Sequence, residues 1–237
     1  FVSRRSSETI KYASNAFLAI KIHYINEMAN FCEKADANIY EVAQGMGLDS
    51  RIGPKFLTPG PGYGGSCFPK DTLAMAYMAR QNDVEMSLIT ATIKGNDNRK
   101  KEMAERIVNA VKYIDNPKIA VLGLAFKNGT DDCRESPAIE IVSELVNRKY
   151  SVFVYDPKAM KNTETLIGSK ITYCQSAYEA VENADVLAIL TEWEEFKKLD
   201  LNKIASLMKN KTIIDCRNML DKQEALSLDF NYQGIGI

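Results

Sequence analysis

The sequence has a single histidine, His23, a single tryptophan, Trp193, and five cysteines scattered without a CxxC pair: Cys32, Cys67, Cys133, Cys174 and Cys216. One histidine leaves little room for Ser-His or Cys-His hydrolase chemistry, since only His23 could serve as the base. An odd, dispersed set of cysteines argues against a disulfide framework and a structural zinc site, and for a reducing cytoplasm. No metal is expected. Neither sign of charge is in excess: 30 Lys+Arg against 31 Asp+Glu gives a net charge of −1, a poor match to a nucleic-acid backbone. No apolar run approaches the roughly 20 residues that cross a bilayer, and no signal-peptide pattern opens the chain. What is present is an ordinary globular composition, 46% hydrophobic and 26% charged over 237 residues, enough for one large domain or two modest ones.

Two rhythms divide the chain. Residues 6 to about 115 read as helical: hydroxyl caps at Ser6-Ser7-Glu8-Thr9 precede apolar positions at helical spacing through Phe31. A short helix follows from Ile39 to Met46, with Gly45 and Gly47 as its stop, then a Gly/Pro-rich loop from Thr58 to Ser66. Helices are expected from about Pro69 to Gln81 and from Ser87 to Ile114, the second carrying Lys94, Arg99, Lys101, Glu102 and Glu105 on a charged face. Near Pro117 the pattern changes. Lys118–Leu122 is a short continuous apolar run, the mark of a strand buried on both faces, and Ser151–Tyr155, Asp185–Leu190 and Thr212–Asp215 are further strands. Pro137 suits the first position of a helix after Ser136. Alternating β and α predicts a parallel, doubly wound sheet. The expectation is an α+β chain: an all-helical domain over 1–116, then a Rossmann-like α/β domain over 117–237.

Gly60-Pro-Gly62-Tyr-Gly-Gly65 matches GxGxxG but lacks its context, since no strand precedes it and a cysteine and a proline follow. It reads better as a cradle of main-chain N–H groups, or as a plain connector. Directly after it stands Cys67-Phe-Pro69-Lys70-Asp71. Cys67 falls just before a helix N-terminus, where the partial positive charge favours thiolate, and Lys70 adds a cation in the first turn. The plain alternative is a buried structural cysteine. Lys11 and Asn15 lie one helical turn apart and point the same way; read alone, they form a solvated helix face. Asp71 suits the first turn of a helix by charge alone.

The segment GPGYGGSCFPKD (Gly60 to Asp71) closely resembles the cysteine-bearing segment of the UDP-glucose/GDP-mannose dehydrogenase family of nucleotide-sugar 6-dehydrogenases. Lys11-Tyr-Ala-Ser-Asn15-Ala-Phe-Leu-Ala19, Asp49-Ser-Arg51-Ile-Gly53-Pro-Lys-Phe-Leu57, Gly123-Leu-Ala-Phe-Lys127 through Arg134-Glu-Ser-Pro137, Leu190-Thr-Glu-Trp-Glu-Glu-Phe196 and Asp215-Cys-Arg217 resemble its other motifs, in order along the chain. The RIGxKFL segment leans toward the UDP-glucose branch. The resemblance implies oxidation of a C6 alcohol to a carboxylate, UDP-glucose to UDP-glucuronate, with two NAD per turnover. Cys67 is then the nucleophile, Lys11 and Asn15 stabilise developing negative charge, and Asp71 orients the hydrolytic water. Arg51 reaches the sugar from the other subunit of a homodimer built on the helical domain. Phe56, Leu57, Thr58, Gly60, Tyr63 and Gly64 hold the nucleotide sugar together with Lys11, Asn15, Phe126, Lys127 and Arg217. Cys67, Lys70 and Arg134 contact NAD. Asp156-Pro157 reads as a turn, Trp193 as structural, and His23 as packed on its helix.

One departure from the family stands out. Its members begin with a strand-GxGxxG-helix domain that holds NAD, and no such unit occurs between Phe1 and Ile237. Gly123-Leu-Ala-Phe-Lys lacks the second glycine, so the α/β domain is expected to bind the UDP moiety and not a whole dinucleotide. The chain alone is therefore expected to lack turnover. An inactive sugar-nucleotide-binding and dimerisation module, or a dehydrogenase for another nucleotide sugar, are the competing expectations.

Overall fold

The computed structural model describes residues 1–237. Helix α1 spans Arg4–Ala35, and its cap is Ser3, whose hydroxyl accepts the Ser6 N–H at 3.1 Å. The cap thus lies before the hydroxyl run at Ser6–Thr9, because Ser6 and Ser7 already have helical partners upstream. Helix α2 (Ile39–Gly47) is capped by Asn38 and runs through Gly45 before ending. A Cβ at Gly47 would lie 2.9 Å from Pro54 Cα, so that glycine serves a close approach of the following turn. Helices α3 (Phe68–Gln81) and α4 (Ser87–Val111) complete the helical part. No helix is long and apolar enough to cross a membrane.

From Lys118 onward the chain alternates: β1 (Lys118–Leu122), α5 (Pro137–Asn147), β2 (Ser151–Tyr155), α6 (Met160–Ile167), β3 (Thr172–Tyr173), α7 (Ala177–Val181), β4 (Val186–Ile189), α8 (Leu201–Leu207), β5 (Thr212–Asp215), α9 (Lys222–Ser227) and β6 (Asn231–Gln233). All pairings are parallel, in the order β3-β2-β1-β4-β5-β6. Ile119 is in register with Val152 on one side and Val186 on the other. Every residue of β4 is buried, as are Ile119–Leu122 of β1; helices cover both faces of a parallel sheet, so central strands need no polar alternation. The sheet order reverses between β1 and β4. Ligands of such sheets gather at the carboxyl ends of the strands on either side of that reversal.

Contacts divide the chain at Arg99/Lys100, inside α4, and return Gly236–Ile237 to the first unit. A boundary at 116/117, placed where the rhythm changes, misses this because the last three turns of α4 pack with the sheet domain. Met103, Ala104, Ile107 and Val111 are buried, Lys100 pairs with Glu140 at 2.6 Å, and Arg148 joins Glu105 and Glu144. At the other end, Ile39 N–H donates to Gly236 O at 2.8 Å and Gly236 N–H to Glu33 Oε1 at 2.9 Å.

His23 packs against Gly95 of α4: a Cβ there would lie 2.0 Å from the imidazole Cε1. Its Nε2 also lies 3.5 Å from Glu27. Gly to Ala inside a helix ordinarily stabilises by roughly 0.5–1 kcal/mol. Gly95→Ala is expected to do the reverse and cost about 1–3 kcal/mol, since the His23 ring must move. Urea unfolding should show the loss, and His23→Ala in the same background should recover most of it. A stabilised Gly95→Ala chain would mean that the imidazole does not occupy this contact.

Candidate functional site

In the first unit, the loop ahead of Cys67 is held from within. Gly60 N–H donates to Asn26 Oδ1 (2.8 Å), while Gly60 O accepts from Arg99 Nε (3.0 Å). Tyr63 N–H donates to Asn96 Oδ1 (2.8 Å), and Tyr63 O accepts from Asn96 Nδ2 (3.0 Å). Both main-chain groups of both residues thereby face helices α1 and α4. Those N–H groups are committed to the protein and do not form part of an outward cradle. Arg99, expected on the charged outer face of α4, is 4% exposed, because its guanidinium bridges Gly60 O and Asn30 Oδ1. Leu57, Gly60, Tyr63 and Gly64 are buried, and Phe56 and Thr58 exposed. Phe56 has φ +64° and meets the Phe68 ring edge-on, as Tyr63 does from another side. Burial raises the Tyr63 phenol to about 12.

Past this loop Cys67 caps α3 and is exposed, while Cys32, Cys133, Cys174 and Cys216 are buried. Ser66 Oγ lies 3.8 Å from its sulfur. Pro69 stands within the first two helical positions, where its missing N–H costs nothing. One turn on, Asp71 N–H donates to Cys67 O, so the carboxylate rises from the same face of the helix start. That carboxylate is wholly buried and gathers three of the expected residues. Asn15 Nδ2 donates to Oδ2 at 2.6 Å, Lys11 Nζ lies 3.8 Å from Oδ2, and Lys70 Nζ lies 3.3 Å from Oδ1. Burial pushes the Asp71 pKa up most strongly, but the Asn15 and Lys70 hydrogen bonds and the two lysine charges prevail and leave it below the usual carboxylate range. Arg51 is exposed and forked onto Asp49 through Nε and Nη2.

In the second unit, Phe126 and Lys127 follow β1, with Lys127 exposed and its Nζ 5.4 Å from the Phe126 ring centroid. The turn after β1 is closed to a dinucleotide. Leu124 N–H and Ala125 N–H both donate to Asp156 Oδ2, at 2.7 and 3.1 Å. Gly123 (φ +94°) lies so close to Thr191 that a Cβ would meet it at 2.5 Å, and Thr191 Oγ1 donates to Ala125 O. No helix opens here, since α5 starts only at Pro137. Asp156 also accepts from Lys158 N, Ala159 N and Trp193 Nε1, which fixes the Asp156-Pro157 turn and gives Trp193 its structural role. Arg217, after β5, donates from Nε to Leu190 O at 3.0 Å and lies 3.1 Å from Glu192 Oε2. Arg134 is exposed, forked onto Asp132, beside an open hollow of about 490 Å³ lined by Thr130, Asn162 and Thr165 among others.

Asn26, Asn96 and Glu192 belong to these arrangements without having been given a role from the sequence, and Arg99 and Asp156 hold main-chain groups where the sequence suggested an outer charged face and a turn. The legible signal was in α4: Thr92, Asn96 and Arg99 recur at i, i+4, i+7, a buried polar stripe on an otherwise apolar face.

Residues 5–98 match the family model described as UDP-glucose/GDP-mannose dehydrogenase family, central domain, and residues 120–222 match the UDP binding domain of the same family. A UDP-glucose 6-dehydrogenase of Rhizobium meliloti (strain 1021) is 49% identical over 237 residues, 100% of this chain and 54% of the relative. A UDP-glucose dehydrogenase from Pyrobaculum islandicum superposes with a TM-score of 0.89 at 32% identity, over 99% of this chain and 52% of that one. A UDP-D-ManNAc dehydrogenase from Pyrococcus horikoshii superposes with a TM-score of 0.82 at 31% identity, over 98% and 52%. The chain spans about half the length of the relatives it matches.

The Asp71 cluster makes a stability prediction. Asn15→Ala removes a charge-assisted bond from a buried carboxylate and is expected to cost about 1.5–3 kcal/mol at pH 7. Because the folded pKa of Asp71 is depressed, its contribution is present above the unfolded value of about 3.9 and is lost as pH falls through the folded one. Asp71→Asn should therefore be less stable than wild type at pH 7, with the gap closing below about pH 4. Denaturant midpoints from pH 7 to 3 check this, and a gap that widens toward acid would refute it.

Proposed function

Because the chain belongs to the UDP-glucose/GDP-mannose dehydrogenase family and carries its central and UDP-binding domains, we propose that it forms the cysteine-bearing and nucleotide-sugar-binding part of an NAD-dependent UDP-glucose 6-dehydrogenase. The observation that carries this reading is the buried Asp71 carboxylate, bound to Lys11 and Asn15 and placed one turn from the exposed Cys67. Cys67 adds its sulfur to the C6 aldehyde of the sugar; a C–S bond forms and the oxygen takes up the thiol proton. The Lys11 ammonium and the second N–H of the Asn15 amide face the oxyanion that develops at C6. After oxidation the same carbon is held as a thioester. Water then cleaves it, the C–S bond breaks, the thiolate leaves and a carboxylate is released. Asp71, kept ionised by its partners, orients that water. NAD, when bound, accepts the hydride in each of the two oxidations.

The α/β unit does not fit a whole dinucleotide, since Asp156 occupies the N–H groups of the β1 turn and Thr191 fills the approach at Gly123. Lys70 and Arg134, both exposed, fit single contacts to the cofactor. Phe126, Lys127 and Arg217, at the strand ends, fit the UDP moiety. The chain by itself is accordingly not expected to produce NADH. Its unbridged cysteines suit a reducing cytoplasm.

Calorimetry with UDP-glucose and GDP-mannose tests the substrate, and preference for the UDP-sugar is expected. Lys127→Ala should weaken UDP binding by about 1.5–3 kcal/mol if the contact is desolvated. Cys67 should be the first cysteine alkylated near neutral pH. In a protein that also carries the family's dinucleotide domain, Cys67→Ser should abolish acid formation, and Asp71→Asn should let the acyl-enzyme accumulate, as read by peptide mass spectrometry. Acid formed at the normal rate by Cys67→Ser would end the covalent mechanism.

A second copy of the chain is proposed to cover α1. Ile10, Phe17, Tyr24 and Phe31 are all exposed and repeat every seven residues, which keeps them on one helix face. Leu73 and Tyr77 of α3 add a further exposed apolar pair. Arg51, exposed on the same unit, is proposed to act on the partner's substrate. Light scattering at micromolar concentration should give a dimer, and Phe17→Glu a monomer; a monomeric wild type would remove the proposal.

A further inference from the structure

Glu192 stands at the carboxyl end of β4, between Thr191 and Trp193. The strand order β1-β4-β5 places it between the segment bearing Lys127 and the one bearing Arg217. Its Oε2 lies 3.1 Å from Arg217 Nε, yet that N–H is directed to Leu190 O, at 3.0 Å. Glu192 Oε2 is therefore shut off from solvent and receives no hydrogen bond. Its Oε1 accepts a long bond from Asn128 N–H, at 3.4 Å. A buried carboxylate oxygen without a donor costs stability and asks for an explanation. Holding Arg217 in place does not supply one, because the Leu190 carbonyl already anchors the guanidinium. What Glu192 adds is charge.

We propose that Glu192 is a built-in counter-ion that acts through Arg217 to weaken, and so to set, the affinity of the strand-end site for the anionic part of a nucleoside diphosphate. The proposal rests on the reading of Lys127 and Arg217 as UDP contacts. Two cations drawing in a diphosphate then meet one fixed anion between them, and part of the attraction is cancelled before the ligand arrives. The cancellation bears hardest on the most negative ligand.

The test uses the 237-residue chain and calorimetric titration with UDP, UMP and uridine at low and high salt. Glu192→Gln is expected to bind UDP roughly two- to fivefold tighter, the range a partly exposed charge pair supplies. UMP should gain less and uridine nothing, and added salt should close the gap. Glu192→Met should shift UDP in the same direction, which separates loss of charge from any new amide contact. Arg217→Met should weaken UDP binding. Equal or weaker UDP binding by both Glu192 variants, or a gain that is the same for uridine, overturns the proposal and makes Glu192 a structural support. A wild-type chain that does not bind UDP, or an Arg217→Met chain that binds it unchanged, overturns instead the reading of the site, and the counter-ion role with it.

Discussion

The first unit depends on how a glycine-rich loop is buried. Pro59 to Gly65 has four glycines, and its peptide groups lose water when the helices close over them. Each must find a partner or cost several times what a satisfied group costs. Asn26, Asn96 and Arg99 provide those partners, taking both main-chain groups of Gly60 and of Tyr63. Because these donors and acceptors come from α1 and α4, the loop cannot shift without breaking bonds to both helices. The end of the loop is the start of α3, so the same constraint fixes where Cys67 stands and which way Asp71 points. Lys11 and Asn15, on α1, meet Asp71 for that reason and not through any preference of their own.

The α/β unit reaches a comparable result with carboxylates. Asp156 accepts from five donors across three segments, among them the two N–H groups of the β1 turn. In a dinucleotide-binding turn such groups face a pyrophosphate and the following helix completes the cradle. Here the Asp156 side chain has taken that place, and the glycine is filled against by Thr191. The fold keeps the sheet and the reversal of strand order while closing its phosphate seat. What stays at the strand ends is a set of side chains, Phe126, Lys127, Glu192 and Arg217, to which the proposed function gives a smaller anionic ligand.

Helices and central strands were legible in the sequence because burial on one stripe or on both faces leaves a periodic trace: Lys118–Leu122 and Thr212–Asp215 emerge with the bounds read from their apolar runs. The division of the chain was not, since α4 is one uninterrupted helix whose residues up to Arg99 belong to one unit and whose residues from Lys100 belong to the other. Arg99 misled for a related reason. A guanidinium at helical spacing among lysines and glutamates looks solvent-facing, and only the position of a loop sixty residues into the chain, with a carbonyl to be satisfied, shows otherwise. Cys67, Lys11, Asn15 and Asp71 could be picked out together through the resemblance, but spacing carried no hint that the Asp71 carboxylate would join Lys11 and Asn15 to Lys70. The edge strands β3 and β6, two and three residues long, are too short to leave a pattern.

Two buried aspartates show how charge separates structural from chemical roles in this chain. Asp215 is held by Arg217 N–H, Met219 N–H, Leu220 N–H and the Tyr232 hydroxyl. All four donors are neutral, and burial prevails over them to raise its pKa. Burial penalises the Asp71 carboxylate too, yet its pKa is lowered, because the Asn15 hydrogen bond, joined by Lys70 and Lys11, outweighs that penalty. Hydrogen bonds satisfy both carboxylates; at Asp71 the two lysine charges add to the Asn15 bond in keeping it ionised. The lysines that do so are themselves largely exposed, 57% for Lys11 and 65% for Lys70. Their charge is therefore available to Asp71 from inside and to a ligand from outside. On the proposed chemistry that double exposure is the useful property: an oxyanion forming near Cys67 can draw on Lys11, while Asn15 continues to hold Asp71. An aspartate stabilised as Asp215 is could anchor a turn, but it could not share its partners with a reacting group.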